Sequence, residues 1–144
     1  MDERLNVFID TNVFLDYIQR RPVGFMEAYS IFSLAATNDI ILMVSDLSIA
    51  NSKYSTRKTI PIADFYAAIK SLRELFTIVP VGESAIDHAL TLEAKDFEDA
   101  LQYFSAKQAG AHCLLTRNMK DFYFASDIEV VGPKDFLVKY FPEI

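Results

Sequence analysis

Apolar residues follow two spacings along the chain. Short, almost uninterrupted apolar runs occupy residues 6–9, 40–44, 76–81, 113–116 and 129–131, and each reads as a strand covered on both faces. Between them, apolar positions recur every three or four residues: around Val13 and Ile18 within 12–20, then Met26, Tyr29, Ile31, Phe32 and Leu34 ahead of Asn38 and Asp39. That is helical spacing. Ser45 or Asp46 can cap a third helix running to about residue 58, and Pro61 opens a fourth through Ala63, Tyr66, Ile69 and Leu72. Residues 83–92 and 96–109 are helical by composition, with Phe97, Ala100, Leu101 and Phe104 marking one apolar face and Gly110 as the stop. Pro133 starts a last helix carrying Phe136, Leu137, Tyr140 and Phe141. Strands separated by helices predict an α/β fold: a three-layer sandwich with a mostly parallel central sheet of four to five strands flanked by helices, one domain over residues 1–144.

Composition narrows the function. At 51% hydrophobic, 144 residues bury one sizeable core and leave no room for a two-domain enzyme. No apolar run reaches the roughly 18 to 20 residues that cross a bilayer, and Met1-Asp2-Glu3-Arg4 opens on charge without a secretory leader, so we expect a soluble cytoplasmic protein with no membrane role. Cys113 is the single cysteine; in the apolar run 111–115 it reads as a buried, inert thiol. His88 and His112 have no second ligand at zinc spacing. A net charge of −6 argues against a generic nucleic-acid coat, but a site that gathers carboxylates around divalent cations is acidic by construction.

Parallel sheets place their functional crevice beyond the carboxyl ends of the strands. Three segments put acid there: Phe8-Ile9-Asp10-Thr11-Asn12, Asp96-Phe97-Glu98-Asp99, and Leu114-Leu115-Thr116-Arg117-Asn118 leading to Asp121-Phe122. Singly, each reads as a helix cap or a solvated turn, since acidic side chains near a helix start gain about 0.3–1 kcal/mol. Together, Asp10, Asp99 and Asp121 converge on one end of the sheet, where like charges are unfavourable unless a cation neutralises them. Oxygen donors without His or Cys select a hard ion, Mg²⁺ or Mn²⁺, and with it phosphate chemistry.

These motifs, in this order over nearly the whole chain, resemble the PIN-domain family of metal-dependent ribonucleases, particularly VapC-like toxins of bacterial toxin–antitoxin pairs. The resemblance rests on residues 8–12, the strand-to-helix segment 44–51, Glu-Asp-Ala-Leu at 98–101 and Thr-Arg-Asn-Met-Lys-Asp-Phe at 116–122. It implies a PIN-like sandwich, an endoribonuclease using Mg²⁺ or Mn²⁺, Asp10, Asp99 and Asp121 as metal-site residues, and Asn12, Thr116 and Asn118 as polar support. The chain departs from the family at Asn51, where a glutamate is usual. An amide oxygen still ligates or orients water but lacks the charge, so Asp96 or Glu98 on the neighbouring helix would compensate. Asp46, five positions away, faces elsewhere and reads as a cap.

An RNA substrate needs local positive charge, and the candidates are Arg20 and Arg21, Lys53, Arg57 and Lys58, and Arg117 with Lys120. Tyr54 and Tyr103 are candidates for stacking a base. The surplus of Phe and Tyr suggests a homodimer or capture of an amphipathic antitoxin segment. Two other classes compete. A phospho-acceptor receiver domain needs an aspartate after the central strand, where Val79-Pro80-Val81 offers none, and a catalytically weakened PIN module that only binds RNA or a partner is motivated by Asn51. A haloacid-dehalogenase-like phosphatase would want a second aspartate at Asn12, and no Gly-x-Gly-x-x-Gly is present for a dinucleotide.

Overall fold

In the computed structural model, which describes residues 3–144, the β-branched and apolar runs become five parallel strands; Met1 and Asp2 of the charged start lie outside the described residues. They are β1 (Leu5–Ile9), β2 (Ile40–Ser45), β3 (Phe76–Val79), β4 (Cys113–Leu115) and β5 (Glu129–Val131), ordered β3-β2-β1-β4-β5. The helices are α1 (Thr11–Ile18), α2 (Phe25–Ala36), α3 (Asp46–Ser55), α4 (Ile62–Leu72), α5 (Gly82–Leu92), α6 (Phe97–Gln108) and α7 (Pro133–Tyr140). Among the described residues none is long and apolar enough to cross a membrane.

Alternate strand residues point to opposite faces, so both faces must be covered. Val7, Ile9, Leu42, Val44 and Leu115 pack with Phe14 of α1, Phe32 of α2 and Phe136 of α7. On the other face Phe8, Met43 and Leu114 meet Tyr103 and Ala106 of α6. The α5 helix covers α6 from outside, Ala85 and Ala89 lying with Ala100 and Leu101. Phe8, Phe14, Phe32 and Phe136 are fully buried, each contributing about 1.5–3 kcal/mol. The sandwich is the one expected, with a sheet that is wholly parallel.

Some boundaries differ from the sequence reading. The first helix ends at Ile18 because Arg20 takes a left-handed φ of 49°. Ser45, not Asp46, caps α3, its Oγ accepting the Ser48 N–H at 3.0 Å. That helix ends at Ser55 rather than about residue 58, where the Thr56 hydroxyl turns back onto the Ser52 carbonyl. The third strand stops at Val79 because Pro80 has no N–H for the ladder; the Val81 N–H goes instead to Asp46 Oδ1 at 3.2 Å. Phe97 is 45% exposed and leaves the apolar face of its helix to Ala100 and Leu101. Cys113 is buried as expected, and desolvation, with the negative Glu129 beside it, pushes its thiol up to about 11.

The chain lays down β1, β2 and β3 outward in one direction, then returns to add β4 and β5 on the other side of β1. The order therefore reverses between β1 and β4. Such a switch point leaves a crevice at the carboxyl ends of the two strands.

Candidate active site

Asp10 and Thr116 are the first residues past β1 and β4, and they meet in that crevice. The Asp10 N–H donates to the Leu115 carbonyl at 3.1 Å, and its Oδ1 accepts the Val13 N–H at 3.0 Å, capping α1. The buried Thr116 side chain lies beside this carboxylate and favours its charged form. Asp10 thus does what the bland reading asked, capping a helix, and faces the crevice as well. Thr116 Oγ1 accepts the Asn118 N–H at 3.1 Å, and the Asn118 carbonyl accepts the Asp121 N–H at 3.0 Å. These bonds set the 3-10 turn Met119–Phe122 that carries Asp121.

From the opposite wall, Asp96 caps α6 by accepting the Asp99 N–H at 3.0 Å, leaving Glu98 and Asp99 in the first turn. Asn51 donates from Nδ2 to Glu98 Oε2 at 3.3 Å, so the helix that lacks the usual glutamate is tied to one on its neighbour.

Electrostatics join these groups. Partial burial and the negative charges of Asp96, Asp10, Asp121 and Glu98 push the Asp99 carboxyl up to about 7. Burial raises Asp10 above its ordinary value, against the lowering effects of Thr116 and the Val13 N–H; Asp16 adds repulsion and Arg117 relieves it. Among the described residues, however, no three acidic, His or Cys side chains close around one ion. Asp10, Asp99 and Asp121, the expected metal-site residues, gather at this end of the sheet as neighbours that feel one another's charge. That donor set suits Mg²⁺, which keeps several waters and takes one or two carboxylates plus substrate phosphate. A cavity of about 320 Å³ opens beside it, lined by Lys95, Asp96, Asp99, Lys120, Asp121 and Tyr123.

Beneath the crevice, Gln102 donates from Nε2 to Ser48 Oγ at 2.6 Å and to Thr11 Oγ1 at 3.0 Å, and accepts from Ser45 Oγ at 2.7 Å. This buried network locks together α1, α3 and α6, the three helices that present Asp10, Asn51 and Asp99. Sequence reasoning missed it, although Gln102 stands three residues from Asp99 on one helix face.

It also missed Asp16, which is buried and held by Arg117 through Nε at 2.8 Å and Nη2 at 2.9 Å. Asp16 lies three positions after the buried Val13, so helical phase placed it on the core side. Arg117, a candidate RNA-binding cation by sequence, is directed to this buried carboxylate. Arg21 reaches Asp16 Oδ1 and Asn12 Oδ1, each at 3.4 Å, which turns Asn12 toward Arg21. Lys53 stands 5.8 Å from the Phe65 ring centre and Arg57 3.8 Å from that of Tyr54. Tyr103 is buried, its hydroxyl accepting the Ser126 and Asp127 N–H groups, and has no face to offer a base. Lys120 lines the acidic cavity, together with Lys95 and Tyr123, which sequence reading did not single out.

Known proteins share this architecture. The chain is 30% identical over 139 residues to "Ribonuclease VapC1" of Aquifex aeolicus, spanning 93% of this chain and 94% of the relative. A chain of the DNA-bound VapBC from Salmonella typhimurium superposes with a TM-score of 0.69 at 16% identity, over 90% of this chain and 98% of that one. A chain of VapBC2 from Rickettsia felis, bound to a promoter DNA fragment, gives 0.67 at 16% identity, over 88% and 97%. The family model described as PIN domain matches residues 6–120, which carry Asp10, Asn51, Asp99 and Thr116, and the chain belongs to the PIN-domain family.

Proposed function

We propose that this protein is a metal-dependent endoribonuclease that hydrolyses RNA phosphodiester bonds and acts as the toxin of a toxin–antitoxin pair. One observation carries the reading: Asp96, Asp10, Asp121 and Glu98 gather around Asp99 at the sheet's switch point, where burial first and then their negative charge push its carboxyl up to about 7. Such a concentration of like charge is what a hard cation relieves. The likeness to a ribonuclease supports RNA as substrate, and the VapBC assemblies support an antitoxin partner and a cytoplasmic setting.

Asp10, Asp99 and Asp121 would hold Mg²⁺ or Mn²⁺, with Glu98 and Asp96 adding charge. Bound there, the ion would supply Lewis-acid charge for activating a water and balancing the phosphate. The chain's own part is orientation. Thr116 and the Val13 N–H aim Asp10, the Asp96 cap fixes the start of α6, and Asn51 holds Glu98. Exposed Met26, Tyr29, Ile62 and Tyr66 are apolar surface for the antitoxin or a second copy in a homodimer.

Asn51 favours a second reading, a weakened module that retains RNA without cutting it. Cleavage of RNA with Mg²⁺ or Mn²⁺, with and without EDTA, separates the two. We expect metal-dependent cutting that falls on the order of 100-fold or more in Asp10→Asn and Asp99→Asn. Retention of RNA with no cutting under any metal selects the binding module.

A further inference from the structure

The cavity beside Asp99 and Asp121 is not walled by acid alone. Lys95 enters from the loop before α6, and Lys120 and Tyr123 from the 3-10 turn and the residue after it. Neither lysine is in an ion pair among the described residues, although carboxylates line the same cavity. Tyr123 is 62% exposed yet anchored at both ends. Its hydroxyl accepts the Lys95 N–H at 3.4 Å, and its ring stands edge-on to Phe124, with centres 5.3 Å apart at 82°. Phe124 in turn packs edge-on against Tyr103 of α6 at 5.4 Å. What this wall presents to the cavity is therefore a braced aromatic ring with its polar end already used.

At about 320 Å³ the cavity stands at the small end of ligand pockets, which run ~300–1,000 Å³, so it suits one nucleotide and not a duplex. Unpaired RNA bases stack on aromatic faces whatever their identity, and lysines meet phosphates as point charges.

We propose that this cavity is a subsite for one unpaired RNA nucleotide beside the scissile phosphate, its base on Tyr123 and its flanking phosphates on Lys95 and Lys120. The assignment rests on the reading of Asp99 and Asp121 as the cleavage centre. It gives a chain of net charge −6 a local means of holding a polyanion, and it makes the protein select single strands with little base preference.

The probe is a fluorescein-labelled, unstructured RNA decamer. Its binding is read by anisotropy in an Asp10→Asn background, and cleavage is read with Mn²⁺ in the otherwise unsubstituted protein. Tyr123→Ala should weaken binding and raise KM by about 10-fold without a matching loss in kcat, while Tyr123→Phe binds like the parent. Lys95→Met and Lys120→Met should each reduce the slope of log affinity against log salt by about 0.7. Unchanged melting temperatures, expected for these exposed side chains, show that the variants fold. If the parent cuts RNA and all these variants bind and cut as it does, the subsite is wrong and the nuclease reading survives. If the parent never cuts but Tyr123→Ala still weakens the decamer, the cavity holds a single-strand nucleotide but the nuclease reading falls, and with it the place of that nucleotide beside a scissile phosphate. A parent that binds no decamer, or binds a duplex of equal length as tightly, overturns the subsite.

Discussion

Asp16 is a carboxylate buried from water, and three residues, two nearby and one distant in sequence, make that tolerable. Arg117 meets it with two hydrogen bonds, Arg21 adds a longer one, and Gly24 leaves room by having no side chain. A Cβ at Gly24 would lie 2.2 Å from Asp16 Oδ2, at a backbone φ of +98° that L residues rarely adopt. Gly24→Ala should therefore cost about 3 kcal/mol and lower the melting temperature by roughly 10 °C. Gly110→Ala is the control. At φ +78° with nothing within 4 Å of the added Cβ, it should cost only about 1 kcal/mol, and equal losses in the two thermal melts would contradict the packing argument. Little of this was legible in the sequence. Gly24 read as punctuation and Arg117 as a surface cation, because the partner that gives both their meaning lies 101 residues from Arg117. Asp10 was legible, since one strand-ending aspartate serves as cap and as site residue, and both roles follow from its place at the strand's carboxyl end.

Elements were readable where local rules decide them. The apolar runs marked all five strands, and the third helix was placed to start at Ser45 or Asp46, although the strand read through to residue 81 stops before Pro80. What local rules do not carry is how an element is fastened. Glu129 on β5 accepts from Lys139 Nζ at 2.8 Å and from the Tyr140 hydroxyl at 2.5 Å, pinning α7 to the sheet edge. Hydrogen bonds from those two groups, Lys139 first, hold the Glu129 carboxyl below its ordinary 4.5. A depressed folded pKa means stability that is present above the unfolded value and is lost as pH falls through the folded one. Glu129→Gln should thus destabilise the fold modestly at pH 7, by under about 1 kcal/mol for so exposed a pair, with a correspondingly small drop in melting temperature. The gap to the parent should shrink below pH 4.5 and be gone once both states are protonated. A difference that persists unchanged in acid would show that packing, not the carboxylate, holds α7.

Over the whole molecule, the strand order explains why acid from three distant segments gathers at all. The switch between β1 and β4 brings Asp10 and Thr116 together, and the return of the chain through α6 and the 3-10 turn adds Asp99 and Asp121. Sequence could foresee convergence at one end of the sheet, but not which neighbours would crowd Asp99 there. Such a gathering stores repulsion in the metal-free fold, and an ion that binds only the native state would return it as stability. At about 100 times its Kd the gain is about 2.7 kcal/mol, roughly 8–12 °C for a chain of this size. Thermal melts with EDTA and with increasing Mn²⁺ should show that rise. Asp99→Asn should melt higher than the parent in EDTA, because one of the repelling charges is gone, and should lose most of the Mn²⁺ increment. A parent indifferent to Mn²⁺, together with an Asp99→Asn variant that melts lower in EDTA, would mean that the acidic residues stabilise the fold as helix caps and that no ion is needed to balance them.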